Sequence, residues 1–238
     1  MDILSAAFAW LVAPAQYTGD GTIPIRIGEH VYFTFVSLII AAVIAIPLGY
    51  FIGHTGKGRD LAVGISGAAR ALPSFGLIVL LIGIFVAINP LSLNRQLAVF
   101  IAFVLLGIPS ILAGAYAGLE AIDRRTVDAA RAVGMTEWQI LWKVEIPLGL
   151  PLLLGGLRAA AIQIVATATL AAYIGLGGLG YYIFQGLPLR AYDEMLGGAI
   201  LVAALALILD GLFAWAQHAT APQGSETART KRLRARSA

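Results

Sequence analysis

The sequence predicts an all-α integral membrane protein with about five transmembrane helices. Of the 238 residues, 59% are hydrophobic and only 12% are charged, and the mean hydropathy is +0.86. Soluble domains carry about twice that charged fraction. Folding in water alone would leave large apolar surfaces exposed, so lipid must form part of the solvent. Because the chain has no cysteine, disulfide frameworks and cysteine metal sites are excluded.

Five apolar segments are long enough, or nearly so, to cross a membrane. A helix needs about 20 apolar residues to span roughly 30 Å of hydrocarbon. The segment that ends at Ile88 is short, and we expect it to start earlier, near Leu61, with Arg70 close to its polar end. The predicted spans are residues 33–52, 72–88, 97–117, 148–172 and 195–216.

The two ends of the chain are predicted to lie outside the transmembrane domain, which we place at residues 29–217. The opening "MDILSAAFAWLVAP" has too short an apolar run to span, and Asp2 replaces the basic start of a secretory signal. Residues 1–28 are therefore expected to form an external segment with an interfacial helix. Residues 218–238 are basic and contain proline, glycine and serine, which predicts a disordered cytoplasmic tail.

The placement of Lys and Arg predicts the orientation of the chain in a plasma membrane. If the N-terminus is outside, eleven of these residues are cytoplasmic and three are external. Cytoplasmic segments are enriched in Lys and Arg, so the N-terminus is predicted outside and the C-terminus inside. The cytoplasmic set is Lys57, Arg59, Arg124, Arg125, Arg131, Lys143, Arg229, Lys231, Arg232, Arg234 and Arg236, and the external set is Arg26, Arg95 and Arg190.

A polar loop over residues 118–147 has a helical pattern of its own. Residues 126–133 are good helix formers, and Gly134 stands where a helix commonly ends in a left-handed residue. Thr136 and Gln139 have the spacing of a capping box at the start of a second helix, which Pro147 is expected to close. The small side chains of Ala129, Ala130 and Val133 are expected to form a face that another surface can approach closely.

The loop resembles a motif of permease subunits of binding-protein-dependent ABC importers. That motif is Glu-Ala-Ala, three residues, Gly, nine residues, and Ile-x-Leu-Pro; here Asp, Val and Ile replace Glu, Ile and Leu. The resemblance implies a type I ABC importer permease fold in which the first short helix is a coupling helix held by the ATPase subunit. The matching residues are Asp128, Ala129, Ala130, Gly134, Val144, Ile146 and Pro147.

The resemblance extends over about residues 29–216, where "RALPSFGLIVLLI" and "LPLLLGGLRAAAIQIVATATLAAYIGLGGLG" look like the osmoprotectant branch. It implies import of glycine betaine, choline, carnitine or proline. The partners implied are two ATPase subunits that hold ATP and Mg, a second permease chain and a separate solute-binding protein. No cofactor in this chain and no nucleic-acid partner are expected. An importer of another small solute, such as methionine, remains an alternative.

Other classes of function are less well supported by the sequence. A secondary transporter would favour internal repeats and intramembrane acidic residues, and few such acids are present. The stretch "GHTGKG" lacks the P-loop spacing, so this chain is not expected to hydrolyse ATP. The histidines at 30, 54 and 218 have no ligand spacing, and interfacial positions are expected for them.

The stretch "GLGGLG" at residues 175–180 matches G-x-G-x-x-G, but a membrane span rather than a strand precedes it, which argues against a dinucleotide site. It predicts either flexible non-helical backbone along the translocation path or an ordinary tight connection. The residues proposed along the path are Arg158, Tyr173, Gly175, Gly177, Gly178, Gly180 and Tyr181, with Tyr182 a further aromatic near it.

Arg158 is costly in a membrane. It lies eleven residues beyond Pro147, about 16 Å along a helix and thus near mid-bilayer. A buried Arg faces protein or a water-filled cavity. It either meets the carboxylate of a zwitterionic substrate or pairs structurally with an acidic group or helix-end carbonyls. Asp210 is expected to reach the interface from the last span.

Overall fold

The computed structural model describes residues 2–88 and 95–220, and the regular structure in these ranges is entirely helical. The predicted tail beyond residue 220 and the predicted external loop at 89–94 lie outside the described residues. The helices are α1 (Ile3–Val12), α2 (Ile23–Thr55), α3 (Arg59–Ala71), α4 (Ser74–Ile88), α5 (Arg95–Glu120), α6 (Arg124–Ala132), α7 (Glu137–Ile140), α8 (Ile146–Ala168), α9 (Gly180–Leu189) and α10 (Tyr192–Thr220). Short 3-10 segments lie at Pro14–Gln16 and Thr169–Ile174, and a π-helical segment at Leu141–Glu145.

Four stretches of continuous helix in the described ranges are long and apolar enough to cross a membrane. A fifth span is obtained if the bent pair α3 and α4 is counted as one. The all-α fold with about five transmembrane helices is therefore confirmed. The four long stretches are Ile23–Thr55, Arg95–Glu120, Glu137–Ile174 and Tyr192–Thr220.

The bent pair corrects one predicted span. Helices α3 and α4 meet at 92°, because Leu72 is extended (φ −72°, ψ 130°) ahead of Pro73, as a residue before proline prefers. The segment therefore starts ahead of Leu61, as expected, but it is bent at Leu72 and Pro73 rather than formed by one continuous helix. Helix α4 has 15 residues and is only about 22 Å long.

Helices α2, α5 and α8 form the centre of the bundle and approach one another through small residues. Gly118 of α5 lies against Gly149 of α8, where an added Cβ would stand 2.6 Å from the Gly149 carbonyl oxygen. Gly114 and Gly156 meet in the same way one turn further along. Such small residues let membrane helices pack closely without help from the hydrophobic effect. Any larger side chain at Gly118 would separate α5 from α8.

Helix α1 packs against α10 and α9. The Trp10 ring lies against Gly197 and makes an edge-on contact with the Tyr182 ring, with 4.9 Å between centroids. With 10 residues, α1 is too short to span a bilayer, as predicted. Helix α2 begins at Ile23, ahead of residue 29, where the transmembrane domain was expected to begin.

The bundle has two ends that matter for function. The Gly134 end carries α6, α7 and the C-terminus of α2. The Gly177 end carries the segment 175–180 and the N-terminus of α2. His30 and His54 mark the two ends on α2, about 36 Å apart along the helix axis, which is enough to cross the hydrocarbon layer.

Candidate functional site

The polar loop at the Gly134 end begins with a capped helix and closes with a glycine turn. The Asp123 side chain accepts a hydrogen bond from the backbone N–H of Arg125 at 2.9 Å and so caps α6. Gly134 has φ +86°, and its N–H and that of Met135 donate to the carbonyls of Arg131 and Ala130. This pair of bonds defines a Schellman motif. The predicted left-handed glycine is confirmed.

The second helix of the loop starts as predicted but does not end as predicted. Thr136 and Gln139 form a complete capping box. Helix α7 then continues through the π-helical segment into α8, and Pro147 lies in the first turn of α8. The prediction that Pro147 closes the segment is therefore wrong. Because the helix is continuous here, Pro147 leaves a carbonyl of the preceding turn without its helical hydrogen bond, and the wider π turn before it makes room for its ring.

Helix α6 exposes only part of its predicted small-residue face. Ala129 is exposed, and Val133 is 78% exposed. Ala130 is 8% exposed, because it faces the protein rather than solvent. The predicted face is therefore wrong in Ala130 and correct in Ala129 and Val133. Nearby, Trp138 is 68% exposed and makes an edge-on contact with Trp142.

A charged cluster joins α6 to α7. The Arg131 guanidinium donates to both carboxylate oxygens of Glu137, at 2.7 and 3.0 Å, and to Asp128 at 3.1 Å. These hydrogen bonds, chiefly those to Glu137, raise the pKa of Arg131 above its ordinary value. A two-pronged Arg–carboxylate contact fixes geometry as well as charge. The two helices are therefore held at a defined angle across the Gly134 turn.

The same cluster reaches α2 through His54. Its Nδ1 lies 2.5 Å from a carboxylate oxygen of Glu145, and its Nε2 lies 3.7 Å from Glu137. Glu145 is buried, with a side chain that is only 9% exposed. A buried carboxylate requires such a partner. His54 therefore ties the end of α2 to the start of α8.

At the Gly177 end, the glycine-rich segment is non-helical and is held by side chains of α2. Gly175, Gly177 and Gly178 all have left-handed φ values of 79° to 85°. The carboxylate of Glu29 accepts a hydrogen bond from the Gly178 N–H at 2.7 Å. The segment is therefore a tight, hydrogen-bonded turn, and its place along a translocation path stays a prediction. A strand is absent from the described ranges, so the G-x-G-x-x-G match is not a dinucleotide site.

His30 is fully buried in the protein beside this segment, in the first third of α2. Its Nδ1 accepts a hydrogen bond from the Leu179 N–H at 3.2 Å, and its Nε2 lies 3.0 Å from the carbonyl oxygen of Val165. One nitrogen must accept and the other donate, so the imidazole is neutral with its proton on Nε2. His30 thus links α2 both to α8 and to the turn that leads into α9.

The aromatic residues predicted along the path are gathered at the Gly177 end. Tyr173 and Tyr181 line a cavity of about 460 Å³ together with Phe184. The Tyr173 ring contacts Phe75 and Phe184 edge-on, at 5.2 and 5.4 Å between centroids. The Arg26 guanidinium stacks over the Tyr181 ring, 3.8 Å from its centroid. Aromatic faces attract cations in this way.

Tyr182 has a structural role beside this cavity. The side chain is 3% exposed. Burial raises the pKa of Tyr182 to about 12, so its hydroxyl remains protonated and donates to the carbonyl of Gly21 at 3.1 Å. Gly180 begins α9 where an added Cβ would collide with the carbonyl oxygen of Thr169. Both residues hold α9 in place.

Arg158 lies apart from the aromatic cavity. It forms a two-pronged ion pair with Asp210 of α10, with donor–acceptor distances of 2.5 and 2.6 Å. Both side chains are partly exposed, at 36% and 29%. The Asp210 carboxylate is thus held by Arg158 between α8 and α10. Of the two roles considered for Arg158, the structural pairing is the one found.

Sequence reasoning missed the contacts of Glu29 and His30 at the Gly177 end and the His54–Glu145 contact at the Gly134 end. Each of these residues is a polar residue close to an apolar span, which is a weak signal when taken alone. The positions of Glu145 within the ABC-importer-like motif and of Glu29 and His30 side by side were available clues. Only the packing of α2 beside α8 brings them into contact.

The comparisons with known proteins agree with this architecture. The family described as "Binding-protein-dependent transport system inner membrane component" matches residues 45–222. The glycine betaine/carnitine/choline transport system permease protein OpuCB of Bacillus subtilis is 31% identical over 207 residues, which cover 87% of this chain and 92% of that protein. The osmoprotectant import permease protein OsmW of Salmonella typhimurium is 32% identical over 82% of this chain and 90% of that protein.

The fold is also found in a solved structure. A chain of the MetNI methionine ABC transporter in an inward-facing conformation superimposes with a TM-score of 0.73 at 24% identity, over 83% of this chain and 95% of that one. The predicted importer permease fold is thereby confirmed. The extent of the family match and the identity to these permeases lead to one assignment: the chain belongs to the family of binding-protein-dependent transport system inner membrane components.

Proposed function

We propose that this chain is the permease subunit of an ATP-driven ABC importer that takes up osmoprotectants such as glycine betaine, choline, carnitine or proline. The observation that carries the proposal is the 31% identity to a betaine, carnitine and choline permease over nearly the whole of both chains. The methionine transporter shares the fold at 24% identity, which supports the architecture but says nothing of the solute. An ion-coupled mechanism is not favoured, because the family works with binding proteins.

The polar loop is proposed to be the surface that the ATPase grips. Helix α6 presents Asp128, Ala129 and Val133 outward, and the Gly134 turn and the Arg131–Glu137 contact fix its angle to α7. Val144, Ile146 and Pro147 belong to the continuous helix that leads from α7 into α8. A displacement of α6 is therefore passed along the chain, through α7, to the transmembrane helix α8.

ATP hydrolysis belongs to the partner subunits in this proposal. The family is that of inner-membrane components, and ATP and Mg²⁺ would be held by two ATPase subunits. A second permease chain, identical or paralogous, completes the path. A separate solute-binding protein delivers the cargo outside the cell, and nucleic acid has no role.

The Gly134 end is proposed to face the cytoplasm. The positively charged residues Arg124, Arg125 and Arg131 lie there, as the enrichment of Lys and Arg on the inner side requires. The N-terminal segment and the Gly177 end are then external, and residues 218–238 form a cytoplasmic tail. In this orientation residues 1–28 are external or interfacial and residues 29–217 form the transmembrane domain in the plasma membrane of a prokaryote.

The solute path is proposed to pass the aromatic cavity at the Gly177 end. Tyr173 offers a ring face that attracts a quaternary ammonium group, and Tyr181, whose ring already holds the Arg26 guanidinium, lines the cavity beside it. The segment Gly175–Gly180 would form the wall beside it. Arg158, bound to Asp210, is proposed to hold α8 against α10 rather than to contact the solute.

The proposal is tested by purification and uptake together. The chain is purified from its native membrane in mild detergent, and the proteins that accompany it are identified. Cells that express the chain with its partners are then given labelled betaine, choline, carnitine, proline and methionine. We expect an ATPase to co-purify and the first four solutes to compete for uptake. Uptake of methionine alone, or the absence of any ATPase, would contradict the proposal.

A further inference from the structure

Helix α2 is joined to the α8 segment at both membrane faces, and each joint contains a histidine of α2. At the Gly134 end, His54 contacts Glu145 at the start of α8 and approaches Glu137 of α7. At the Gly177 end, His30 contacts the Val165 carbonyl near the end of α8 and the Leu179 N–H just beyond it. We name these contacts the inner clasp and the outer clasp.

The two clasps matter because α2 and α8 each pack more extensively on α5 than on one another. Helix α5 approaches both closely, through Ala115 against Gly49 on the α2 side and Gly118 against Gly149 on the α8 side. Small-residue packing of this kind holds the helices close together by van der Waals contact and contains no directional bond. The clasps supply directional polar contacts at the two ends.

Glu29 reinforces the outer clasp. One of its carboxylate oxygens accepts from both the Gly178 N–H, at 2.7 Å, and the Arg26 guanidinium, at 2.9 Å. A Cβ at Gly177 would collide with the ends of the Glu29 and Arg26 side chains, and the φ of +85° also favours glycine there. The turn at the Gly177 end therefore follows α2 whenever α2 moves.

We propose that His30 and His54 are positioning residues that make α2, α5 and α8 move as one rigid unit, which we call the lever. Movement of the polar loop at the Gly134 end then displaces the turn at the Gly177 end. A displacement of α7 acts on α2 through His54, and α2 acts on Gly178 and Leu179 through Glu29 and His30. The inference deepens the proposed function, on which it rests, by naming the residues that carry motion across the membrane.

The test uses the complete importer complex in lipid nanodiscs. The chain has no cysteine, so Leu176→Cys introduces a single thiol into the glycine-rich segment. The rate at which a maleimide labels this thiol is measured with and without ATP. In the parent, ATP changes the rate. His54→Leu and His30→Leu each reduce that change about tenfold, which is within the usual range of coupling between sites, while the ATPase still co-purifies.

Conservative variants separate positioning from packing. His54→Lys keeps a donor near the two carboxylates, and His30→Gln keeps one donor and one acceptor. Both are expected to restore most of the ATP-dependent change. His218→Leu, at an exposed histidine near the end of α10, is the matched control and leaves the change as in the parent. If His54→Leu does not reach the membrane, Glu145→Gln takes its place with the same expectation.

The outcomes distinguish the two levels of inference. A parent complex that lacks an ATPase overturns the proposed function and the lever with it. A parent complex that contains the ATPase and imports solute, but in which ATP leaves the labelling rate unchanged, overturns the lever alone. If the parent responds to ATP and both leucine variants respond as strongly as the parent, the lever alone is overturned. Loss of the response in the two leucine variants, together with its return in H54K and H30Q, supports the lever.

Discussion

The Arg158 guanidinium and the Asp210 carboxylate form a two-pronged ion pair between α8 and α10, with Nε–Oδ1 and Nη2–Oδ2 distances of 2.5 and 2.6 Å. Gly155, on the same helix as Arg158, lies against Gln217 of α10. Helices α8 and α10 are therefore in close contact at both positions. In a membrane, an Arg that satisfies its hydrogen bonds within the protein is not free to act as a fixed solute site.

Removal of either charge at this pair should destabilise the protein. We expect Arg158→Leu to lower the melting temperature of the detergent-solubilised protein, because Asp210 is left without its partner in an apolar environment. The double variant with leucine at both positions should recover most of the loss. Uptake by the double variant should be close to that of the parent. A double variant that is stable but does not transport would instead assign Arg158 to the solute path.

Substitution of Gly134 should be limited by the backbone conformation of the turn rather than by steric crowding. No atom lies within 4 Å of an added Cβ at Gly134, so any penalty comes from its φ of +86°. A left-handed conformation costs an ordinary residue roughly 1–2 kcal/mol, and more if the residue is β-branched. A change of this size alters a two-state population about 5- to 30-fold. Gly134→Val should therefore reduce uptake by about that factor while insertion is retained.

Gly134→Asn is the matched control for the turn, because asparagine tolerates the left-handed region. It should transport within about twofold of the parent. The measurements are the amount of ATPase that co-purifies and the initial rate of uptake in the same cells. Equal, normal values for the valine and asparagine variants would show that the shape of the turn is unimportant for coupling.

The two alanines of α6 should respond differently to the same substitution. Ala129 is exposed, so Ala129→Trp should leave the protein level normal and block the approach of the ATPase. Ala130 is 8% exposed, so Ala130→Trp should overpack the chain itself, at a cost of about 1–3 kcal/mol, and lower the protein level. Quantitative blotting and co-purification measure the two effects. A normal ATPase complex with Ala129→Trp would place the docking surface elsewhere.

Loss of the Tyr173 ring should reduce the uptake of cationic solutes. Tyr173 is 59% exposed and lines the cavity at the Gly177 end. A cation–π contact contributes about 0.5–2 kcal/mol, so Tyr173→Leu should reduce betaine or choline uptake about 2- to 30-fold, whereas Tyr173→Phe should be close to the parent. Proline, which has no quaternary ammonium group, should be less affected. Equal losses for all solutes would indicate a structural role.

The proposed orientation predicts which positions an impermeant thiol reagent can reach in intact cells. Arg125→Cys, at the Gly134 end, should remain unlabelled, and Tyr192→Cys, at the start of α10, should be labelled. Both positions are exposed in the structure, so access depends on the side of the membrane alone. Permeabilised cells provide the control in which both are labelled. The reverse pattern in intact cells would invert the orientation.

Local chemistry in the sequence was enough to predict the polar loop in detail. The hydrogen bonds of the Gly134 turn and of the Thr136–Gln139 capping box join residues only a few positions apart, so their geometry follows from the sequence. Composition and segment length were likewise enough for the number of spans. Pro147 misled the prediction, because the same residue ends one helix and begins another, and only the π turn before it shows which occurs.

The sequence by itself determined that the chain is a helical membrane protein with a structured polar loop, since hydropathy, helix caps and left-handed glycines are properties of adjacent residues. The tertiary structure decided which polar residues meet. His54 and Glu145 are 91 positions apart, and Arg158 and Asp210 are 52 apart, so no local pattern relates them. It also decided that Ala130 faces inward while Ala129 faces outward. In each case the deciding factor is how one helix is packed against another, which depends on residues far apart in the sequence.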